Sequence, residues 1–238
     1  MMVGLLSGAL ITLRESMEAF LVVGILLGFL KKMNAPEFKI HIWLGTLLGL
    51  AGSAVITLLF QVLAIRFEGE RAEIFELFVS VVAIAVLTWM ILWMQRQSRG
   101  LRDEIEARIS LSIGKGQALA LAALAFVTVI REGLETALFL AALAQTTERQ
   151  SLLTGAVLGV GAAIVLVLLI FQAIIRLNVR WFFIVTGWML IFIAAGLVSH
   201  SLMVLNEIGL VPAIVDPIWN SEFLVSNESL WGKLLHVF

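Results

Sequence analysis

The sequence predicts an all-α integral membrane protein of about six transmembrane helices, arranged as two inverted-topology three-helix repeats. Three observations predict it. The 238-residue chain is 61% hydrophobic and only 14% charged, whereas a soluble domain carries about a quarter charged residues. Its apolar residues are gathered into runs near the ~20 residues that cross a hydrocarbon core. The pattern Arg-Glu-x-x-Glu occurs twice, at residues 14–18 and 131–135, three expected spans apart.

The apolar runs place the spans at about 3–30, 42–65, 74–94, 117–144, 152–175 and 181–204. No basic segment precedes the first run, and Arg14 and Glu15 interrupt it. It therefore reads as a retained helix and not as a cleaved signal peptide. Orientation follows from the basic residues. Lys31, Lys32, Lys39, Arg96, Arg99, Arg102, Arg108, Lys115, Arg176 and Arg180 fall on one side, ten in all. Four (Arg66, Arg71, Arg149 and Lys233) fall on the other, and Arg14 and Arg131 lie inside spans. The positive-inside rule makes the ten-residue side cytoplasmic and puts the N-terminus outside.

The chain accordingly divides into a first repeat over 1–94, a cytoplasmic connector over 95–116, a second repeat over 117–204 and an extracytoplasmic segment over 205–238. The connector reads either as a surface amphipathic helix, with Ile105, Ile109, Leu111 and Ile113 on one side, or as a solvated link. The absence of cysteine excludes disulfides and thiolate metal sites. The net charge of −1 carries no information about partners. The bilayer is the expected environment, and no nucleic-acid partner is expected.

The chemistry is concentrated in Leu13-Arg14-Glu15-Ser16-Met17-Glu18-Ala19 and Ile130-Arg131-Glu132-Gly133-Leu134-Glu135-Thr136, near the centres of spans one and four. An ionisable residue at that depth costs several kcal/mol on insertion scales, about 2.5–3.5 each. Glutamates three apart share a helix face, with the arginine one turn from the second. Face to face, the two helices offer four carboxylates (Glu15, Glu18, Glu132 and Glu135) against Arg14 and Arg131. The formal imbalance is negative, which suits a cation, and carboxylate oxygens suit hard cations. Inward glutamates on packed helices are also how di-iron proteins hold iron. The bland alternative is two self-neutral pairs that glue helices together. It is disfavoured because buried pairs stabilise less than apolar packing and because each motif keeps a carboxylate beyond its pair.

Equivalent motifs three spans apart run in opposite directions, which predicts a substrate site where the halves meet. Gly45, Gly49 and Gly52 in span two match Gly155, Gly159 and Gly161 in span five and mark close helix packing. Outside these positions the similarity of the halves is faint.

A second cluster, Glu68, Glu70, Glu73 and Glu76, opens span three on the outer side. Glu73 and Glu76 repeat the Glu-x-x-Glu spacing and would concentrate cations there. A solvated helix start, with acids favoured by the helix dipole, is the competing reading. Trp89, Met90, Trp93 and Met94 read as a packing or lipid-facing stripe and not as a copper site. His200 reads as a hydrogen-bonded packing residue.

The two Arg-Glu-x-x-Glu motifs resemble those of the oxidase-dependent high-affinity iron permeases of fungal plasma membranes and bacterial inner membranes. Residues 131–135 carry the family's Arg-Glu-Gly-Leu-Glu in full, and residues 14–18 keep Arg14, Glu15 and Glu18 but have Ser16 and Met17. Further likeness lies in Glu73-Ile74-Phe75-Glu76, Leu87-Thr88-Trp89-Met90 with Trp93-Met94, Arg176-Leu177-Asn178 and Ala194-Ala195-Gly196-Leu197. The resemblance implies iron permeation after oxidation at the outer face, the motif glutamates as ligands, no tightly bound cofactor, and an extracytoplasmic ferroxidase or iron-delivery partner. Family members continue to a seventh span, whereas this chain stops at Phe238.

The expected function is therefore import of iron through Glu15, Glu18, Glu132 and Glu135, with Arg14 and Arg131 orienting them and Glu73 and Glu76 capturing ions outside. Two rivals remain. A transporter of another divalent metal or an organic cation has the same architecture. A membrane di-iron oxidase is less compatible, since no histidine lies near either motif.

Overall fold

A computed structural model of the chain describes residues 2–66, 70–97, 117–172 and 178–208. These form six long helices: α1 Met2–Lys32, α2 Lys39–Arg66, α3 Glu70–Gln97, α4 Gln117–Thr146, α5 Arg149–Phe171 and α6 Val179–Glu207. No strand occurs among the described residues. Each helix contains the corresponding expected span or most of it. The extra turns are mainly polar ends that project past the apolar stretch. The connector residues 98–116, Glu68, and residues 209–238 of the C-terminal segment lie outside the described residues.

Four stretches, Pro36–Phe60, Ala72–Met90, Arg149–Phe171 and Trp181–Asn206, are long and apolar enough to cross a membrane. The other two long helices, α1 and α4, carry the motif charges mid-helix. The protein is an all-α membrane protein. Exposed Leu47, Leu48, Val157 and Trp188 are the surface a bilayer would cover.

Local chemistry sets the helix ends. After Lys31 and Lys32 in the last turn of α1, Asn34 adopts a left-handed conformation (φ 54°), which asparagine tolerates better than most residues. The backbone N–H of Ala35 then donates to Leu30 O at 3.1 Å, and Pro36–Phe38 turns the chain into α2. At the start of α6 the Asn178 side chain accepts the Trp181 N–H at 3.3 Å, as an N-cap does.

The main packing joins the first three helices to the last three. α1 lies parallel to α5, with Gly155 seated on Leu5 O and Gly159 on Ala9 O and Thr12. α2 lies parallel to α4, with Gly45 seated on Ala122 O and Gly49 on Phe126 O and Val129. These contacts are equivalents. The shift that maps Arg14 onto Arg131 also maps Leu5 onto Ala122 and Ala9 onto Phe126. A single second shift maps Gly45 onto Gly155 and Gly49 onto Gly159. A Cβ at any of these glycines would collide with the neighbouring backbone or side chain, so backbone approaches backbone only because the side chain is absent. The Thr12 hydroxyl adds a polar link, 2.9 Å from Ala156 O and 2.8 Å from Gly8 O.

Two apolar clusters form the core. One joins Ile11, Val79, Leu87, Leu138, Phe139 and Leu197; the other joins Val23, Leu26, Ile42, Leu121, Ala125 and Val129. Along α1 the motif falls between Ile11 of the first cluster and Ala19 of the second. Along α4 it falls between Val129 of the second and Leu138 of the first. The charges therefore sit in a polar layer with apolar packing on both sides.

Candidate metal centre

The two motifs, distant in sequence, meet where α1 passes α4. One carboxylate oxygen each from Glu15, Glu132 and Glu135 converge within 4.8 Å of one another. Glu15 and Glu132 are buried, and Glu135 is mostly covered. Oε2 of Glu15 and Oε2 of Glu132 are out of reach of solvent and accept no hydrogen bond. A buried acceptor without a donor is costly unless something positive approaches it. Three oxygens at this spacing match a hard cation's preference for carboxylates.

Glu18 has a different position. Its Oε1 accepts from Arg14 Nη2 at 2.7 Å, and its Oε2 lies 3.8 Å from Arg131 Nη2. It bridges the two guanidinium groups instead of joining the convergent set. All four motif glutamates are thus brought together, three as a potential ligand group and the fourth as a clasp.

The arginines also differ. Arg14 is fully buried; its Nη1 donates to Glu15 Oε1 at 2.7 Å and lies 2.7 Å from the Met90 thioether. Arg131 donates to Glu132 Oε1 from Nη2 at 2.5 Å and from Nε at 3.0 Å, and its Nε lies 3.6 Å from Glu135 Oε1. About half of the Arg131 side chain, 48%, is uncovered.

Glu73 and Glu76 are not part of this centre. Glu73 is exposed, whereas Glu76 lines a cavity of about 290 Å³ with Thr57, Phe75, Ala137, Gln145, Arg149 and others. No motif residue lines the cavity; of its lining residues on α4, Ala137 comes nearest to the motif in sequence, two residues beyond Glu135. Ser80, one turn further along α3, donates to Gln145 Oε1 at 3.0 Å and ties α3 to α4. Along α3, Glu76 is about 21 Å from Met90 at ~1.5 Å per residue, so the acidic cluster stands well away from the convergent glutamates.

Met90 is the residue the sequence reading missed. Taken there as one member of a stripe, it is buried against Arg14, while its neighbour Trp89 is 72% exposed. Only the helical phase of α3 separates the two. At His200, Nε2 is buried with no hydrogen-bond partner among the described residues. The residue contributes no atom to the convergent set.

Fold and site together define a polytopic helical membrane protein with an internal carboxylate–guanidinium centre. The family model described as the iron permease FTR1 family matches residues 5–238, and the chain belongs to that family of transporters, which are not enzymes. The chain is 32% identical over 228 residues to the ferrous iron permease EfeU of Escherichia coli O6:K15:H31, covering 95% of this chain and 83% of that one. The EfeU of Shigella sonnei matches with the same figures, and that of Yersinia pestis is 31% identical over 95% of this chain and 81% of its own. No solved structure matches the chain.

Proposed function

We propose that the protein imports iron through the centre formed by Glu15, Glu132 and Glu135, with Glu18 holding the two arginines against it. The observation that carries this reading is the convergence of three carboxylate oxygens within 4.8 Å. Two of the contributing side chains keep a buried oxygen with no donor. Apolar clusters on both sides suit a site that a permeating ion occupies while shut off from water. The relatives are named ferrous iron permeases, which supplies iron as the substrate, since carboxylates alone do not rank iron above manganese.

In this reading residues 1–94 and 117–204 are the two repeats, with 95–116 cytoplasmic and both 205–238 and the N-terminus outside. The membrane is a plasma or bacterial inner membrane. Glu76, with Glu73 beside it, gathers ions at the outer cavity, where an extracytoplasmic ferroxidase or delivery protein would hand them over. Cysteines placed at Ser98 and Ser226 are then labelled by an impermeant thiol reagent from opposite sides; labelling from one side contradicts the topology.

The deciding experiment is uptake into liposomes by purified protein, comparing iron, manganese and zinc, each normalised to folded protein. Iron uptake lost in Glu15→Gln and Glu132→Gln supports the site, and normal uptake in either removes it. Preferential uptake of manganese or zinc would leave the architecture and change the substrate.

A further inference from the structure

We infer that Arg131 is a tethered counter-ion that the incoming metal displaces, whereas Arg14 is a fixed post that stays in place. This rests on the carboxylate-site reading and assigns the two arginines opposite duties within it.

Arg14 has nowhere to go. It is fully buried, with both terminal nitrogens engaged, Nη1 by Glu15 and Met90 and Nη2 by Glu18. Met90, a member of the apolar core on α3, lies against it. Moving it would bury a cavity and strip Glu18 of its closest cation.

Arg131 is held differently. Its guanidinium lies on Glu132 Oε1 and reaches Glu135 Oε1 at 3.6 Å, so it is bound to two of the three glutamates of the convergent set. Arg14 is held instead by Glu15 and Glu18 of its own helix, each at 2.7 Å. The uncovered half of Arg131 falls on the exposed stripe of α4 that includes Leu119, Val127 and Leu134. A charged side chain in a span faces a protein interior or water in preference to lipid, and the uncovered half of Arg131 leaves its head room to turn away from Glu132. A metal ion and a guanidinium cannot share the same carboxylate lone pairs, and like charges at that spacing repel. The cation with an exit is Arg131. On binding it swings off Glu132 and Glu135; on release it returns and restores the charge balance of the empty centre. Exchange with a tethered cation makes binding weaker than bare carboxylates would give, and it speeds departure of the ion.

The test uses the full chain, purified, with Mn²⁺ as an air-stable probe, reading affinity by calorimetry and metal-induced thermal stabilisation. Arg131→Gln is expected to bind Mn²⁺ about tenfold more tightly than wild type, because its competitor is gone. Its uptake per folded protein in liposomes should fall severalfold, because release is slowed. Arg14→Gln should show the reverse pattern, a loss of thermal stability with no gain in affinity. If Arg131→Gln does not fold, Arg131→Lys still decides, since a point charge holds the carboxylates less well than a planar fork and should tighten binding. Affinity unchanged or weakened in the folded Arg131 variant, with Glu132→Gln still abolishing binding, overturns the displaced counter-ion and leaves the carboxylate site standing. Absence of Mn²⁺ binding in wild type, or binding indifferent to Glu132→Gln, overturns both.

Discussion

The two Arg-Glu-x-x-Glu motifs are nearly identical as sequence and unlike as structure. In α1 the arginine is sealed under Met90 and the second glutamate, Glu18, is turned onto guanidinium groups. In α4 the arginine is half uncovered and the second glutamate, Glu135, joins the convergent oxygens. The crossed pairs of α1 with α5 and α2 with α4 obey the internal symmetry closely at their glycines. The symmetry fails at the charges. The two motifs together give one convergent set of oxygens, beside one buried arginine and one half-uncovered arginine.

The strongest way to break this comparison is to remove the equivalent first glutamates. Glu15 and Glu132 both keep a buried, donor-free oxygen, so Glu15→Gln and Glu132→Gln should each lower iron uptake by roughly a hundredfold with the fold retained. Uptake normalised to folded protein checks it, and a large difference between the two would mean that only one motif serves the site.

The second glutamates sharpen it. Glu135→Gln removes a member of the convergent set and should cost about tenfold in uptake, whereas Glu18→Gln removes a clasp and should cost only about two- to threefold. Equal losses would restore the symmetric picture of four equivalent ligands.

A smaller contrast separates the centre from the outer cluster. Glu76→Ala should reduce uptake about threefold at limiting iron and be rescued by more substrate, because a surface charge acts on capture rate. Glu73→Ala, at an exposed position off the cavity, should do less. Indifference of both variants at limiting iron would reduce the cluster to a solvated helix start.

The smallest effect tests the seal over Arg14. Met90→Leu keeps the volume and removes the sulfur acceptor, so it should lower stability by about 1 kcal/mol. Thermal unfolding of the purified variant measures it. Trp89→Leu, one residue away on the exposed face, should leave stability unchanged.

Much of this was legible before any coordinates. Apolar run length places the spans, because each helix satisfies its own backbone hydrogen bonds and must be apolar to lie in lipid. Two charged motifs in such runs announce a functional centre, because charge there is costly. The glycines of spans two and five announce close packing. These are local properties, carried by neighbours along the chain. What only the tertiary structure decided concerns residues far apart in sequence. Glu18 stands apart from the three convergent oxygens because it lies between two guanidinium groups on different helices. Met90 covers Arg14 because the rotation of α3 turns it inward and Trp89 outward. Arg131 is left half open because no described neighbour covers that stripe of α4 as α3 covers Arg14. The repeated motif specifies the same side chains twice, but burial is a property of what packs against them, and the two copies are packed by different helices.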